Sequence, residues 1–234
     1  MYFYQECSKN KSIVCISKLQ QRQGCNINKT KVLNKSYQIL LQHQRFSVNT
    51  SMEPTVVKLK PIEATPETFK DFGQVVQASP DGDQFGPHDA QLDLSQGTPR
   101  FYIMHLQDRA LKFSKITHHA SVTQCLGSIS GDVWYLGVAK SSIVDPNADE
   151  KKGENVLQSN RGHLFKPPAV DSVRVFKISG PKFLKLNRGT WHAGPLFKPD
   201  SMDFYNLELS NTNVVDHTSH DFEKENATVF VIDE

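Results

Sequence analysis

The fold prediction depends on the segment Thr117-His118-His119-Ala120-Ser121-Val122-Thr123-Gln124-Cys125-Leu126-Gly127-Ser128-Ile129-Ser130-Gly131. Four residues separate His119 from Gln124, and six separate Gln124 from Gly131. Side chains alternate between the two faces of a strand, so Thr117 and His119 share one face and His118 points to the other. The segment therefore predicts a strand with polar groups on one face, followed by a glycine turn.

This spacing resembles the first metal motif of cupin barrels, in which His-x-His is followed by Glu and then by Gly. In this chain Thr117 stands at the first His and Gln124 stands at the Glu. Neutral Thr and Gln are poor replacements for imidazole and carboxylate in a site that must hold a divalent cation. We therefore expect a barrel with a polar pocket and a weakened metal site.

Short β-rich runs follow one another along the second half of the chain, with turn signals between them and no convincing helical periodicity after residue 100. The predicted strands are Phe101–Leu106, Lys115–His119, Thr123–Ile129, Val133–Ala139, Ser172–Ile178, Phe183–Leu186, Met202–Leu209 and Thr228–Ile232. Many short strands separated by Gly and Pro turns predict an all-β barrel or sandwich. Residues 141–170 interrupt the pattern, and 145–153 is expected to be a polar loop.

The folded part is expected to begin near Thr55 with a short strand that ends at proline. Thr65 and Pro66 then have the residue types of a helix N-cap and first helical position, and Phe69 and Phe72 fall on one face. We therefore predict one domain over residues 52–234: an all-β, cupin-type double-stranded β-helix barrel with a short N-terminal helix.

Residues 1–51 differ from the rest in charge, with eight Lys or Arg and one acidic residue, Glu6. This composition is typical of an organelle transit peptide, and a disordered tail or a start at Met52 is an equally good interpretation. The first case predicts a plastid or mitochondrion, and the last predicts the cytoplasm. Three of the four cysteines lie in this leader, so no disulfide framework or zinc motif is expected.

The mildly acidic remainder of the chain shows no basic footprint for nucleic acid and no apolar run long enough for a membrane span. We expect neither nucleic acid nor membrane as a partner. The polar pocket expected from the motif at residues 117–131 favours a small-molecule substrate instead.

A second motif follows at Asn187-Arg188-Gly189-Thr190-Trp191-His192 and resembles the second cupin motif, with Asn in place of Pro at the turn. Asn and Gly both tolerate turn dihedrals, so the turn is expected to survive this change. His192 stands at the last metal-ligand position. His119 and His192 would together hold a divalent metal only weakly, so no cofactor is expected.

Around these motifs the chain resembles the ureidoglycolate lyase family of allantoin degradation, in its plant-like branch. The residues that carry the resemblance over roughly 55–232 are His119, Thr123-Gln124, Gly131-Asp132-Val133, Arg188, Trp191-His192, Pro195-Leu196-Phe197 and Asp203-Phe204. It implies a homodimeric cupin barrel that splits ureidoglycolate into glyoxylate and urea, a carbon–nitrogen lyase reaction in purine catabolism. The bacterial pattern has His residues where this chain has Asn187 and Ala193-Gly194.

The substrate implied by this resemblance carries a carboxylate, a hydroxyl and a ureido group on one carbon. Imidazole is suited to acid and base roles near neutral pH, so His192 is the first candidate for the base and His119 for its partner. Arg188 could hold the carboxylate in a bidentate fork, and the amide of Gln124 matches the ureido group. Two further candidates are Lys185, as a second anion partner, and Asp203, which either orients a His or lies in a turn outside the barrel.

Two other functions fit the same motifs. One is a metal-dependent cupin with another reaction, such as an isomerase or dioxygenase, and the other is a non-catalytic cupin that binds a small carboxylate or sugar. His217 and His220 could suggest a metal site, but a solvated loop is the preferred interpretation. Cys125 is expected to be a buried small residue, and Trp191 is expected to pack in the core.

Overall fold

The computed structural model describes residues 53–145 and 155–234, which belong to one compact unit, Met52–Glu234. The predicted leader lies outside these residues, as does most of the loop predicted at 145–153. Strands dominate the described part, which confirms the mostly β class. No helix in this part is long and apolar enough to cross a membrane.

The described residues form strands and very short helices in the following order. The strands are β1 (Thr55–Leu59), β2 (Ile62–Glu63), β3 (Gly73–Val76), β4 (Pro99–Gln107), β5 (Lys112–Phe113), β6 (Lys115–His118), β7 (Gln124–Ser128), β8 (Trp134–Ala139), β9 (Ile143–Val144), β10 (Leu157–Gln158), β11 (Leu164–Phe165), β12 (Arg174–Ile178), β13 (Phe183–Leu186), β14 (Trp191–His192), β15 (Ser201–Leu209), β16 (Thr218–Asp221) and β17 (Thr228–Ile232). The α-helices are α1 (Pro66–Phe69), α2 (Thr212–Val215) and α3 (Phe222–Asn226), and a 3-10 turn spans Val170–Ser172.

All eight strands predicted after residue 100 are present, with ends that differ from the prediction by at most two residues. The prediction missed the one-turn helices α2 and α3, because a single turn is too short to show a helical period. It also missed the small sheet of β9, β10 and β11 inside 141–170, whose strands are only two residues long.

Two larger sheets face one another across a shared apolar core. The six-stranded sheet has the order β16-β6-β14-β8-β12-β2, and the five-stranded sheet has the order β3-β13-β7-β15-β4. Trp134 and Leu136 from the first sheet belong to the same core cluster as Leu184 and Phe204 from the second. Within the described residues no hydrogen-bonded ladder joins the two sheets.

The six-stranded sheet is covered on its second face as well, because the side chains of β8 alternate. Tyr135 and Ala139 belong to another core cluster with Phe113 of β5 and Phe230 of β17. A Cβ atom at Gly137 would lie 2.3 Å from the Phe113 ring, so only glycine lets this outer layer approach β8 so closely. Apolar contact on both sides therefore fixes β8.

The helix α1 closes one part of the main core. Thr65 is its N-cap and forms a capping box with Thr68, and Pro66 takes the first helical position as predicted. The rings of Phe69 and Phe72 lie 4.9 and 5.4 Å from that of Phe176 on β12. This aromatic cluster anchors the start of the domain to the six-stranded sheet.

Replacing Phe176 with alanine is expected to lower the free energy of unfolding by about 3–5 kcal/mol, because the ring is 1% exposed and its removal leaves a cavity. Phe85→Ala is the matched control, since that ring is 78% exposed, and its effect should stay below about 0.5 kcal/mol. Urea denaturation followed by circular dichroism measures both values. Equal losses for the two variants would contradict the packing described for Phe176.

Candidate functional site

A cavity of about 330 Å³ lies between the two larger sheets, beyond the end of their apolar core. Strand alternation explains its polar lining, because β15 presents Phe204 to the core and then Asn206 and Glu208 to the cavity. The six-stranded sheet contributes Thr117 and His119 from the end of β6, and β14 contributes His192. Further lining residues are Tyr102, Met104, Arg109, Gln124, Leu126, Ala193, Gly194, Pro195, Asn213 and His217.

His119 is held in one orientation by the backbone of Asp216. Its Nδ1 donates to the Asp216 carbonyl oxygen, so Nε2 is left as the acceptor nitrogen of a neutral ring. The Asp216 carboxylate in turn accepts from the backbone N–H groups of Ala120 at 3.1 Å and Ser121 at 2.7 Å. Burial lowers the pKa of His119, and the contacts with Asp216 oppose this effect only in part.

His192 has the same proton arrangement and an unused nitrogen. Its Nδ1 donates to the Ala193 carbonyl oxygen at 3.1 Å, while Nε2 is buried and has no hydrogen-bond partner in the described part of the chain. Burial, together with the nearby His119 ring, lowers the pKa of His192 to about 3. The two ring centroids are 5.4 Å apart. The cavity therefore holds a pair of neutral imidazoles, each with Nε2 able to accept a proton.

His217 joins this pair at the edge of the cavity. It is exposed, as expected for a solvated position, yet its ring centroid lies 5.6 Å from that of His119. His220 belongs to β16 and hydrogen-bonds Asn226 at 2.9 Å, away from the cavity lining. The expected loop is thus partly a strand, and only one of its two histidines contributes to the site.

A group that we call the polar wall forms the opposite side of the cavity: Tyr102, Gln124, Asn206, Glu208 and Asn213. Glu208 accepts from Gln124 Nε2 at 2.9 Å and from the Tyr102 hydroxyl and Asn213 Nδ2 at 3.2 Å each. Asn206 Nδ2 donates to the Tyr102 hydroxyl at 2.9 Å. Sequence reasoning identified only Gln124, although two alternate polar residues on the inward face of β15 were the available signal.

Arg188, predicted to bind a carboxylate, lies outside the cavity lining. Its Nε donates to the Ala120 carbonyl oxygen at 2.9 Å, and Nη1 pairs with Asp93 at 3.0 Å. It borders a separate cleft with Arg161 and His163. The arginine that does line the cavity is Arg109, which follows β4, has its Nη1 beside Gly194 and forms no ion pair within the described residues. No sequence motif marked Arg109.

Lys185 and Asp203 also lie outside the cavity lining. Lys185 is buried beside Cys125 in the β7–β13 ladder and donates to Asn187 Oδ1 at 2.7 Å. Asp203 is half-exposed and pairs with His105 Nδ1 at 2.6 Å. Of the six predicted site residues, the structure thus brings together His119, His192 and Gln124.

His118 occupies the other face of β6, as alternation predicted, and is fully buried. Its Nε2 lies 2.7 Å from Nε2 of His163, and its ring packs against Trp191 with centroids 4.0 Å apart. Burial lowers the pKa of His118 to about 3. Cys125, expected to be buried, is partly buried, and desolvation raises the pKa of its thiol to about 11, which keeps that thiol protonated near neutral pH.

The donors around His119 and His192 do not fit a divalent-metal site. Thr117 and Gln124, which stand at the other two ligand positions of the motif expected from the sequence, offer a hydroxyl and a neutral amide, and the Gln124 amide nitrogen is already bonded to Glu208. Within residues 53–145 and 155–234, the structure contains no group of three or more His, Cys, Asp or Glu side chains that could hold a metal ion.

No protein-family model matches the chain, and no curated protein matches it.

The buried imidazoles make stability depend on pH. In the unfolded chain they bind protons below about pH 6.5, whereas folded His118 and His192 resist protonation down to about pH 3. The unfolded state therefore binds more protons in this window, so the free energy of unfolding falls as the pH falls. His118→Phe is expected to reduce that slope by about 1.4 kcal/mol per pH unit, the value for one proton.

Urea titrations between pH 6.5 and pH 3 measure this slope. His88→Gln, at an exposed position, is the control and should keep the slope of the parent protein. An unchanged slope in His118→Phe would show that the folded state already binds the proton there.

Proposed function

We propose that this protein is a ureidoglycolate lyase and that its two facing sheets form the walls of a cupin-type double-stranded β-helix barrel. The observation that carries the proposal is the composition of the cavity. It combines the unpartnered Nε2 of His192, the guanidinium of Arg109 and the amides of the polar wall. These are complementary to the hydroxyl, the carboxylate and the ureido group that ureidoglycolate carries on one carbon.

His192 acts as the base and then as the acid. Its neutral Nε2 takes the hydroxyl proton, the C–O bond becomes the carbonyl of glyoxylate, and the C–N bond breaks. The imidazolium then returns the proton to the departing nitrogen, which completes urea. The low pKa of the buried ring favours this second transfer and opposes the first, because a strong acid has a weak conjugate base.

His119 and Arg109 position the substrate in this scheme. Nε2 of His119 accepts a hydrogen bond from an N–H of the ureido group, while the Asp216 carbonyl holds the ring. Arg109 takes the carboxylate in place of Arg188, whose guanidinium is already bonded to Asp93 and Ala120. No step is routed through a metal, and the acid and base roles that the bacterial His residues could take at positions 187 and 193–194 fall to His192 in this scheme.

The proposal is tested by incubating the purified chain with ureidoglycolate and measuring urea and glyoxylate, which should appear in equal amounts. His192→Gln is expected to lower kcat by about 10²–10⁴-fold, because it removes the group that transfers the proton. Release of neither product by the folded protein would refute the lyase. Binding without turnover would indicate a non-catalytic cupin, and loss of activity on chelation would indicate a metal-dependent one.

Two arginines give a matched comparison of the carboxylate site. Arg109→Gln should raise KM by about tenfold or more, since a charge-assisted bidentate bond is lost. Arg188→Gln should change KM less than Arg109→Gln, because Arg188 contacts Asp93 and Ala120. The opposite order would restore Arg188 as the carboxylate ligand.

We also propose that the chain forms a homodimer through the outer face of the five-stranded sheet. On that face Phe101 and Ile103 are 65% and 60% exposed, and Phe101 stacks on Tyr205. Exposed apolar groups that adjoin one another are typical of interaction surfaces.

Sedimentation of the parent protein should show a dimer. Ile103→Lys is expected to dissociate this dimer, and the control Val56→Lys, at an exposed position on β1, should leave it intact. A monomeric parent protein would contradict this.

A further inference from the structure

The polar wall contains a buried carboxylate that only neutral groups contact. Glu208 is 2% exposed, and its three hydrogen-bond donors are two amides and a hydroxyl. No Lys, Arg or His in the described part of the chain forms an ion pair with it. Buried carboxylates usually have a cationic partner, because hydrogen bonds from neutral groups replace the lost hydration only in part. A ligand in the cavity is positioned to supply this charge.

Arg100 is the basic residue nearest to Glu208 in the strand register, but its guanidinium contacts an aromatic ring and not the Glu208 carboxylate. The two residues stand opposite each other on β4 and β15. The guanidinium carbon of Arg100 lies 3.7 Å from the centroid of the Tyr102 ring, in a cation–π contact. Arg100 therefore covers the tyrosine face and leaves the carboxylate without a paired charge.

Glu208 also sets the direction of the surrounding amides. A carboxylate can only accept hydrogen bonds, so the amide nitrogens of Gln124 and Asn213 must face it. The Tyr102 hydroxyl donates to Glu208 and accepts from Asn206 Nδ2. The carbonyl oxygens of Gln124 and Asn206 remain without a hydrogen-bond partner among the described residues. The polar wall therefore offers mainly acceptors and a negative charge to the cavity.

We propose that the polar wall is a subsite for a planar, donor-rich nitrogen group and that it prefers a guanidino group to a ureido group. A guanidinium presents N–H donors in one plane and carries a positive charge, whereas a ureido group is neutral and has a carbonyl acceptor. With Arg109 holding a carboxylate, the ligand class is a small guanidino acid. This inference rests on the proposed function for the position of the site and extends its ligand class.

Two ligands of nearly equal shape test the preference on the full-length wild-type protein. Guanidinoacetate and ureidoacetate both lack the hydroxyl on which the proposed elimination depends, so neither is cleaved during a calorimetric titration. Guanidinoacetate is expected to bind about tenfold more tightly, because its hydrogen bonds to Glu208 are charge-assisted on both sides. Equal affinities, tighter binding of ureidoacetate, or binding of neither ligand would overturn the proposal.

The variant Glu208→Gln removes the charge and keeps the size of the side chain. The ratio of the two affinities should then fall to about twofold or less, while Glu225→Gln, on the exposed side of α3, keeps the wild-type ratio. A Glu208→Gln protein that folds and retains the preference overturns the role of Glu208. Thermal melting establishes whether that variant folds, and if it does not, the wild-type ratio alone decides.

Failure of this inference and failure of the lyase proposal give different results. If the protein prefers guanidinoacetate but releases no urea from ureidoglycolate, the subsite proposal stands and the lyase proposal is refuted. If the protein releases urea and glyoxylate but prefers ureidoacetate, the lyase proposal stands and the guanidino preference is refuted.

Discussion

The contact between Trp134 and Phe204 joins the two larger sheets and determines where the cavity lies. Their rings meet edge to face with centroids 5.1 Å apart, and both side chains are fully buried. Beyond this contact the inward-facing residues of β15 change from apolar to polar, as Phe204 is followed by Asn206 and Glu208. The apolar half holds the sheets together, and the polar half is left open to a ligand.

Burial then gives the cavity its chemistry. Burial disfavours the charged form of His119 and His192, lowers their pKa values and leaves both rings neutral near pH 7. The Nδ1–H of each ring donates a hydrogen bond to a backbone carbonyl oxygen. On the opposite wall, Glu208 orders the amides by the same rule of donor and acceptor matching. One side of the cavity can therefore accept a proton, while the other presents hydrogen-bonding groups in a fixed orientation.

The strands were predictable from the sequence because runs such as Ser172–Ile178 alternate strongly, and alternation is a local property. The imidazole pair was also predictable, because motif spacing fixes which side of β6 and β14 faces inward. Contacts between residues far apart in the chain were not predictable. Arg188 is an example, because it forms an ion pair with Asp93, which is distant from it in the sequence. Arg109 contributes through tertiary placement alone, so no short pattern could reveal it, whereas the alternation of β15 carried a local signal for Glu208.

The two walls of the cavity differ in how firmly they are supported. Apolar layers cover both faces of the sheet that carries the histidines, and Gly137 lets one of them pack directly on β8. The sheet that carries the polar wall has its outer face exposed at Phe101 and Ile103. Substitutions on the outer face of β4 and β15 thus disturb less packing than substitutions on either face of β8. Changes to the lining of the cavity therefore cost less packing on the wall that carries Glu208 than on the wall that carries His119 and His192.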